Sequence, residues 1–152
     1  MPSHAATLGE WRIFNTAEEV AEHAAEWLCM LARASEREFA ICLSGGSTPR
    51  RLYQHLAGDR VASRFPWERT SWFWGDERFV PHADPDSNYR MAYDTLLSHV
   101  PAPKNRIHPI PTEGITPELS AAGYQCLLQS YYGGERLHKY RPLFDVTLLG
   151  IG

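Results

Sequence analysis

FAICLSGGSTPRRLY, residues 39–53, is the stretch whose reading decides the fold. Five apolar residues, β-branched and aromatic types among them, end sharply in Ser44-Gly45-Gly46. A short run of this kind reads as a strand buried on both faces. The residues after the glycines read as a helix opening. Thr48 is placed to cap it, Pro49 suits its first position, and Leu52, Tyr53 and Leu56 fall on one side. Strand, glycine-rich turn and helix in that order suit an anion, because glycines admit close backbone approach and a helix start carries free N–H groups. Ser47 and Thr48 add hydroxyl donors. The loop lacks the Gly-Lys-Ser/Thr of a Walker A motif and the Gly-x-Gly-x-x-Gly of dinucleotide binders. Two readings of the pattern stand: a phosphate or carboxylate site, and a capped tight turn that binds nothing.

Outward from this unit the same alternation continues. WRIF, residues 11–14, is a candidate first strand. Thr16 and Glu19 have capping-box spacing for a helix to about Arg33, with Val20, Ala24, Leu28 and Leu31 as its apolar positions. Pro66 breaks the chain before SWFWG, a second buried strand at 71–75. Ser87 or Asn88 starts a helix to about His99, with Tyr89, Ala92, Tyr93, Leu96 and Leu97 inward. RIHPI, residues 106–110, is a short strand weakened by Pro109. Thr116 and Pro117 open a helix to about Tyr132, and Gly133-Gly134 stop it. PLFDVTLLGIG, residues 142–152, runs through an apolar strand at 144–149 into a glycine loop.

Alternating strands and helices imply an α/β class: a mostly parallel sheet with helices on both faces, Rossmann-like. Parallel strands present their C-terminal loops on one edge, where ligands bind. SGGSTP, GDER and GIG should therefore meet in space. A buried central strand followed by glycines calls for a further helix. The expectation is thus a fold incomplete at its C-terminus, with residues 1–152 the N-terminal portion of a single domain. The strand at 144–149 would then be covered by a missing C-terminal segment or by a second copy in a homo-oligomer.

Composition limits the function classes. With 43% apolar and 22% charged residues the chain reads as globular, and a net charge of -3 without a basic stripe gives no support for nucleic-acid binding. Cys29, Cys42 and Cys126 lie far apart in apolar patterns, which reads as reduced core cysteines in a cytoplasmic setting. No apolar stretch is long enough to span a membrane, and the N-terminus lacks signal-peptide order. In GDERF, residues 75–79, Asp76 is a candidate base or water-orienting group and Arg78 a candidate bidentate clamp for an anion. The competing reading is a solvated, self-paired Asp-Glu-Arg turn. His82 has no His or Cys partner at ligand spacing, and Asp84, Asp86 and Asn88 lack the glycine and closing glutamate of a calcium loop. A turn and helix cap accounts for them better.

LSGGSTPRRLY, WFWGDERFVP, DPDSNYRM and FDVTLLGIG, in that order and spacing, resemble the 6-phosphogluconolactonase family over nearly the whole chain. That family hydrolyses the lactone of 6-phosphogluconate in the oxidative pentose phosphate pathway, on a fold shared with glucosamine-6-phosphate deaminase-isomerases. The resemblance implies that Gly45, Gly46, Ser47 and Thr48 hold the sugar phosphate and that Asp76 and Arg78 lie in the active site. It also implies that Asn88, which shapes the site's wall, and Gly150 and Gly152 of the third loop belong to the substrate- and phosphate-binding residues. Deaminase relatives favour Tyr at the place of Arg78, which tilts the resemblance towards lactonase. In the family the glycines are followed by an Asp-Gly-His-Thr segment whose histidine is the general base, and this sequence ends before it. No metal or organic cofactor is implied. Two alternatives stay open: a sugar-phosphate isomerase or deaminase of the same fold, and a sugar-phosphate-binding domain without catalysis.

Overall fold

The computed structural model describes residues 9–150. Four strands form one parallel sheet: β1 (Phe39–Leu43), β2 (Thr70–Trp74), β3 (Ile107–His108) and β4 (Val146–Thr147), in the order β3-β2-β1-β4. The chain moves outward from β1 to β2 to β3, then returns to the other side of β1. That reversal places a topological switch point between β1 and β4, where an open α/β sheet forms its ligand crevice.

β1 and β2 pair in register from Phe39 with Thr70 to Leu43 with Trp74, and all ten residues are buried. Phe39, Ile41, Leu43, Trp72, Trp74 and Val146 share one core with helices α1 (Ala17–Ala34), α2 (Ser47–Ala57) and α4 (Asn88–Ala92). Phe73 points to the opposite face, where its ring meets Tyr131 of α5 (Pro117–Tyr132), Phe144 and His108. Burial on both faces is what an all-apolar FAICL run predicts. Phe65, Trp67 and Trp72 cluster at 4.4–5.9 Å between ring centroids, and the Trp67 indole donates to Ala62 O at 2.8 Å, in the short helix α3 (Asp59–Ala62).

Helix limits follow local chemistry closely. Thr16 caps α1 by accepting from Glu19 N at 3.1 Å, while the Glu19 carboxylate reaches back to Asn15 N. Thr116 caps α5, and Gly133 ends it in the left-handed region at φ 75°. Several expectations are corrected. Residues 11–14 form no strand; Trp11 and Ile13 are exposed there, and only Phe14 is half-buried, against the His23 ring of α1. The buried stripe of α1 is Ala21, Ala25, Leu28, Cys29 and Ala32, rotated from the expected one, because its small residues are the ones fully buried in the core. α2 begins at Ser47 with Gly46 at its cap, so Thr48 lies inside the first turn and does not cap. The helix opening at Asn88 continues as a π-helical turn over Tyr93–Leu97 and buries Met91, Ala92, Leu96 and Leu97, leaving Tyr93 outward. Cys126 is exposed on α5, whereas Cys29 and Cys42 are buried.

β4 departs most from expectation. Among the described residues it is an edge strand, bonded to β1 through Asp145 N to Ala40 O and Leu148 N to Cys42 O, both 2.9 Å. Val146 is buried but Thr147 and Leu149 are exposed, so β4 itself is packed on one side only, although Phe144 just before it meets Phe73 on the other face. No described helix is long and apolar enough to cross a membrane.

Candidate functional site

The sheet's C-terminal edge opens into a cleft of about 730 Å³ lined by Ser44–Pro49, Asp76, Arg78, Asn88 and Leu148–Gly150, with Val20, Ala21, Ala24 and Leu52 as an apolar wall. All three strand-end loops meet there, at the switch point between β1 and β4. Gly45, Gly46, Ser47, Thr48, Asp76, Arg78, Asn88 and Gly150 are brought together as the sequence reading expects. Gly152 lies outside the described residues.

The first loop is fixed from below. Tyr53, fully buried in α2, donates from its hydroxyl to Ser44 O at 2.7 Å and accepts from Ser44 N at 3.2 Å. Burial pushes the Tyr53 phenol well above its ordinary range, so it stays neutral and keeps both bonds. Above that anchor Gly46 adopts φ 107°, which a side chain disfavours, and α2 starts. Helix geometry leaves the Ser47 and Thr48 amides without intrahelical acceptors, and Gly46 has no side chain to cap them. Pro49 has no N–H to satisfy. The loop therefore presents backbone donors and two exposed hydroxyls to the cleft.

The second loop is held in the same manner. Tyr124 of α5, also buried, accepts from Trp74 N at 3.0 Å and lies 3.2 Å from the Trp74 and His108 carbonyls. Its phenol is pushed up to about 12 by burial. Gly75 then packs over Cys42, whose thiol is raised to about 11 by burial and by the charge of Asp76. That thiol is protonated and unreactive. Asp76 and Arg78 are exposed in the cleft.

Asn88 joins the two loops. Its Nδ2 donates to Asp76 O at 3.2 Å and to Asp76 Oδ2 at 3.4 Å. Its other side lies against Gly45, where an added Cβ would collide with Oδ1 and lie 2.5 Å from Cγ. Gly45 is thus required by close approach rather than by its dihedral angles. Sequence reading found Asn88 only through resemblance, and it missed Tyr53, Tyr124 and Glu77 as supports of the site. Their partners lie 9 to 50 residues away for the tyrosines and up to 12 for Glu77, so no local pattern announces them. His82 is outside the cleft lining: its backbone N donates to Glu113, its ring bonds Ile110 O at 2.8 Å, and it packs on Tyr89. Among the described residues no group of three His, Cys, Asp or Glu side chains is placed to hold a metal ion. A second, more apolar groove of about 490 Å³ runs along α5, with Gln125, Gln129, Glu135 and Arg136 among its lining residues.

Residues 15–152 match the family described as glucosamine-6-phosphate isomerases/6-phosphogluconolactonase. The chain is 43% identical to the 6-phosphogluconolactonase of Synechocystis over 121 residues, which is 80% of this chain and 48% of that protein. It is 44% identical to the 6-phosphogluconolactonase of Nostoc over 117 residues, 75% of this chain and 45% of that one. In three dimensions it is similar to the 6-phosphogluconolactonase from Trypanosoma cruzi, with a TM-score of 0.77 at 28% identity, covering 92% of this chain and 57% of that one. The chain spans about half the length of the curated relatives it matches.

Proposed function

The chain belongs to the glucosamine-6-phosphate isomerase/6-phosphogluconolactonase family, and on that premise we propose that its cleft serves the hydrolysis of 6-phospho-D-glucono-1,5-lactone to 6-phospho-D-gluconate. One observation carries the reading: at the switch point a single cleft gathers an open helix N-terminus, a carboxylate and a guanidinium. The Ser47 and Thr48 amides and hydroxyls seat the phosphate, in a loop that Gly45 and Gly46 allow to come close. Arg78 steadies the anionic substrate with its planar fork. In the reaction a water adds to the lactone carbonyl, the oxyanion collapses, the ring C–O bond breaks and the ring oxygen takes up a proton. Asp76 orients the water or the base that deprotonates it. The resemblance assigns that base to a histidine in the Asp-Gly-His-Thr segment, so the described side chains bind and orient. Gly150 closes the third side of the cleft. Arg78 and the lactonase names of the relatives at 43% and 44% identity favour hydrolysis over amino-sugar isomerisation.

Amide resonances followed during titration test the phosphate seat. Those of residues 45–48 should shift with 6-phosphogluconate and stay put with unphosphorylated gluconate; equal responses to both overturn the assignment. Assaying lactone opening beside glucosamine-6-phosphate turnover separates the reactions. Turnover of the amino sugar alone favours the isomerase, and phosphate-dependent binding without either turnover favours a binding domain.

A further inference from the structure

We infer that Glu77 is a positioning residue that sets the anion loop against Asp76 by holding Asn88. The ligand arm of this inference rests on the sugar-phosphate reading above; its structural arm does not.

Asp76 and Arg78 line the cleft, while Glu77 between them turns the other way, as alternate residues of an extended segment do. Its carboxylate is half-buried and accepts from four donors. Oε1 takes Arg78 N and Asn88 N, both at 2.7 Å; Oε2 takes Tyr89 N at 2.8 Å and Ser87 Oγ at 3.2 Å. A charged acceptor shared by four donors fixes them more tightly than neutral partners would. Ser87 and Asn88 are buried as a result, so the Asn88 side chain leaves its backbone in one direction. On one flank it bonds Asp76, and on the other it abuts Gly45 too closely for any Cβ. Glu77 thus reaches both halves of the cleft without lining it. The spacing between a phosphate held at 45–48 and the carboxylate of Asp76 is set by this relay.

Replacing Glu77 with Gln tests it. The new amide N–H must face a backbone N–H, so one charged acceptor is lost at constant volume. In the unliganded E77Q protein the Gly45 and Gly46 amide resonances should shift and broaden, although Glu77 touches neither. The dissociation constant for 6-phosphogluconate should rise about tenfold, as expected for loss of a charge-assisted contact. Asn88→Ala should disturb Gly45 and Gly46 in the same way. Because Glu77 acts through Asn88, E77Q/N88A should bind no more weakly than N88A alone. Gly45 and Gly46 resonances unchanged in E77Q, or losses that add in the double variant, overturn the inference. If E77Q does not fold, N88A carries the test: resonances at 45–46 identical to the parent protein refute the relay. Failure of the parent protein to bind 6-phosphogluconate would remove the sugar-phosphate reading and leave the resonance arm to decide on Glu77.

Discussion

The ends of β1 and β4 lie side by side in one cleft, yet they are supported differently. β1 is buried at all five positions, and the residue directly after it is clamped through both backbone groups by Tyr53. Among the described residues the β4 segment pairs with β1 alone, and beyond it Leu149 is 84% exposed. Its best anchor is distant from the cleft: Asp145 bonds Ala40 N at 2.8 Å and pairs with Arg37. A cleft can thus be assembled from one wall with two-sided burial and another with one-sided packing. Local stability follows buried contact and satisfied backbone, so the first wall should open only with the whole domain and the second more readily.

The largest effect should come from the doubly covered centre of the sheet. Trp72, on β2 opposite Ile41 of β1, is fully buried beside Phe65 and Trp67, and Trp72→Ala should cost about 3–5 kcal/mol in urea unfolding. A cost below that of an exposed substitution would break the contrast. Next comes Tyr53→Phe, which leaves Ser44 N and O without their partner and should cost about 1–3 kcal/mol. Its amide-exchange signature should be faster exchange at Ser44, with β2 unchanged.

Alkaline titration examines the matching clamp on β2. Tyr124 ionises near 12 when folded against 10.0 for the free side chain, so the folded state holds its proton longer. Its contribution is complete below about pH 10 and is lost as pH rises towards 12. Tyrosinate absorbance should therefore appear for this residue together with unfolding; early, independent ionisation would contradict the clamp. Arg78→Lys, at an exposed position, should leave the melting temperature unchanged and weaken 6-phosphogluconate binding roughly tenfold by removing the planar fork. Unaltered affinity would take Arg78 out of the site. The smallest effect belongs to Leu149→Ala, expected within about 0.5 kcal/mol of the parent. A loss of several kcal/mol there would show that the edge wall is as firmly held as β1.

Much of the fold was legible because its signals are local. FAICL, the Thr116-Pro117 opening and Gly133 behaved as short-range chemistry requires, since a cap or an apolar run needs only neighbours. The buried stripe of α1 was misread because alanines rank low in apolar character, yet their small volume is what close packing selects. WRIF failed as a strand because composition cannot supply a partner, and a strand exists only when paired.

By itself, the sequence determined the parallel α/β alternation, a helix opening just after the glycines and the presence of Asp76, Arg78 and Asn88 beside loops bound for one sheet edge. These come from hydrophobic period, glycine placement and topology, all of which are written along the chain. Only the tertiary structure decided that β4 returns beside β1 to make the switch point. It alone showed that Tyr53 and Tyr124 clamp the strand ends, that Gly45 is required by the Asn88 side chain, and that Glu77 turns from the cleft to hold Asn88. Each of those is a contact between residues distant in sequence. A backbone donor, a carboxylate oxygen or a missing Cβ has no pattern of its own until folding sets its partner beside it.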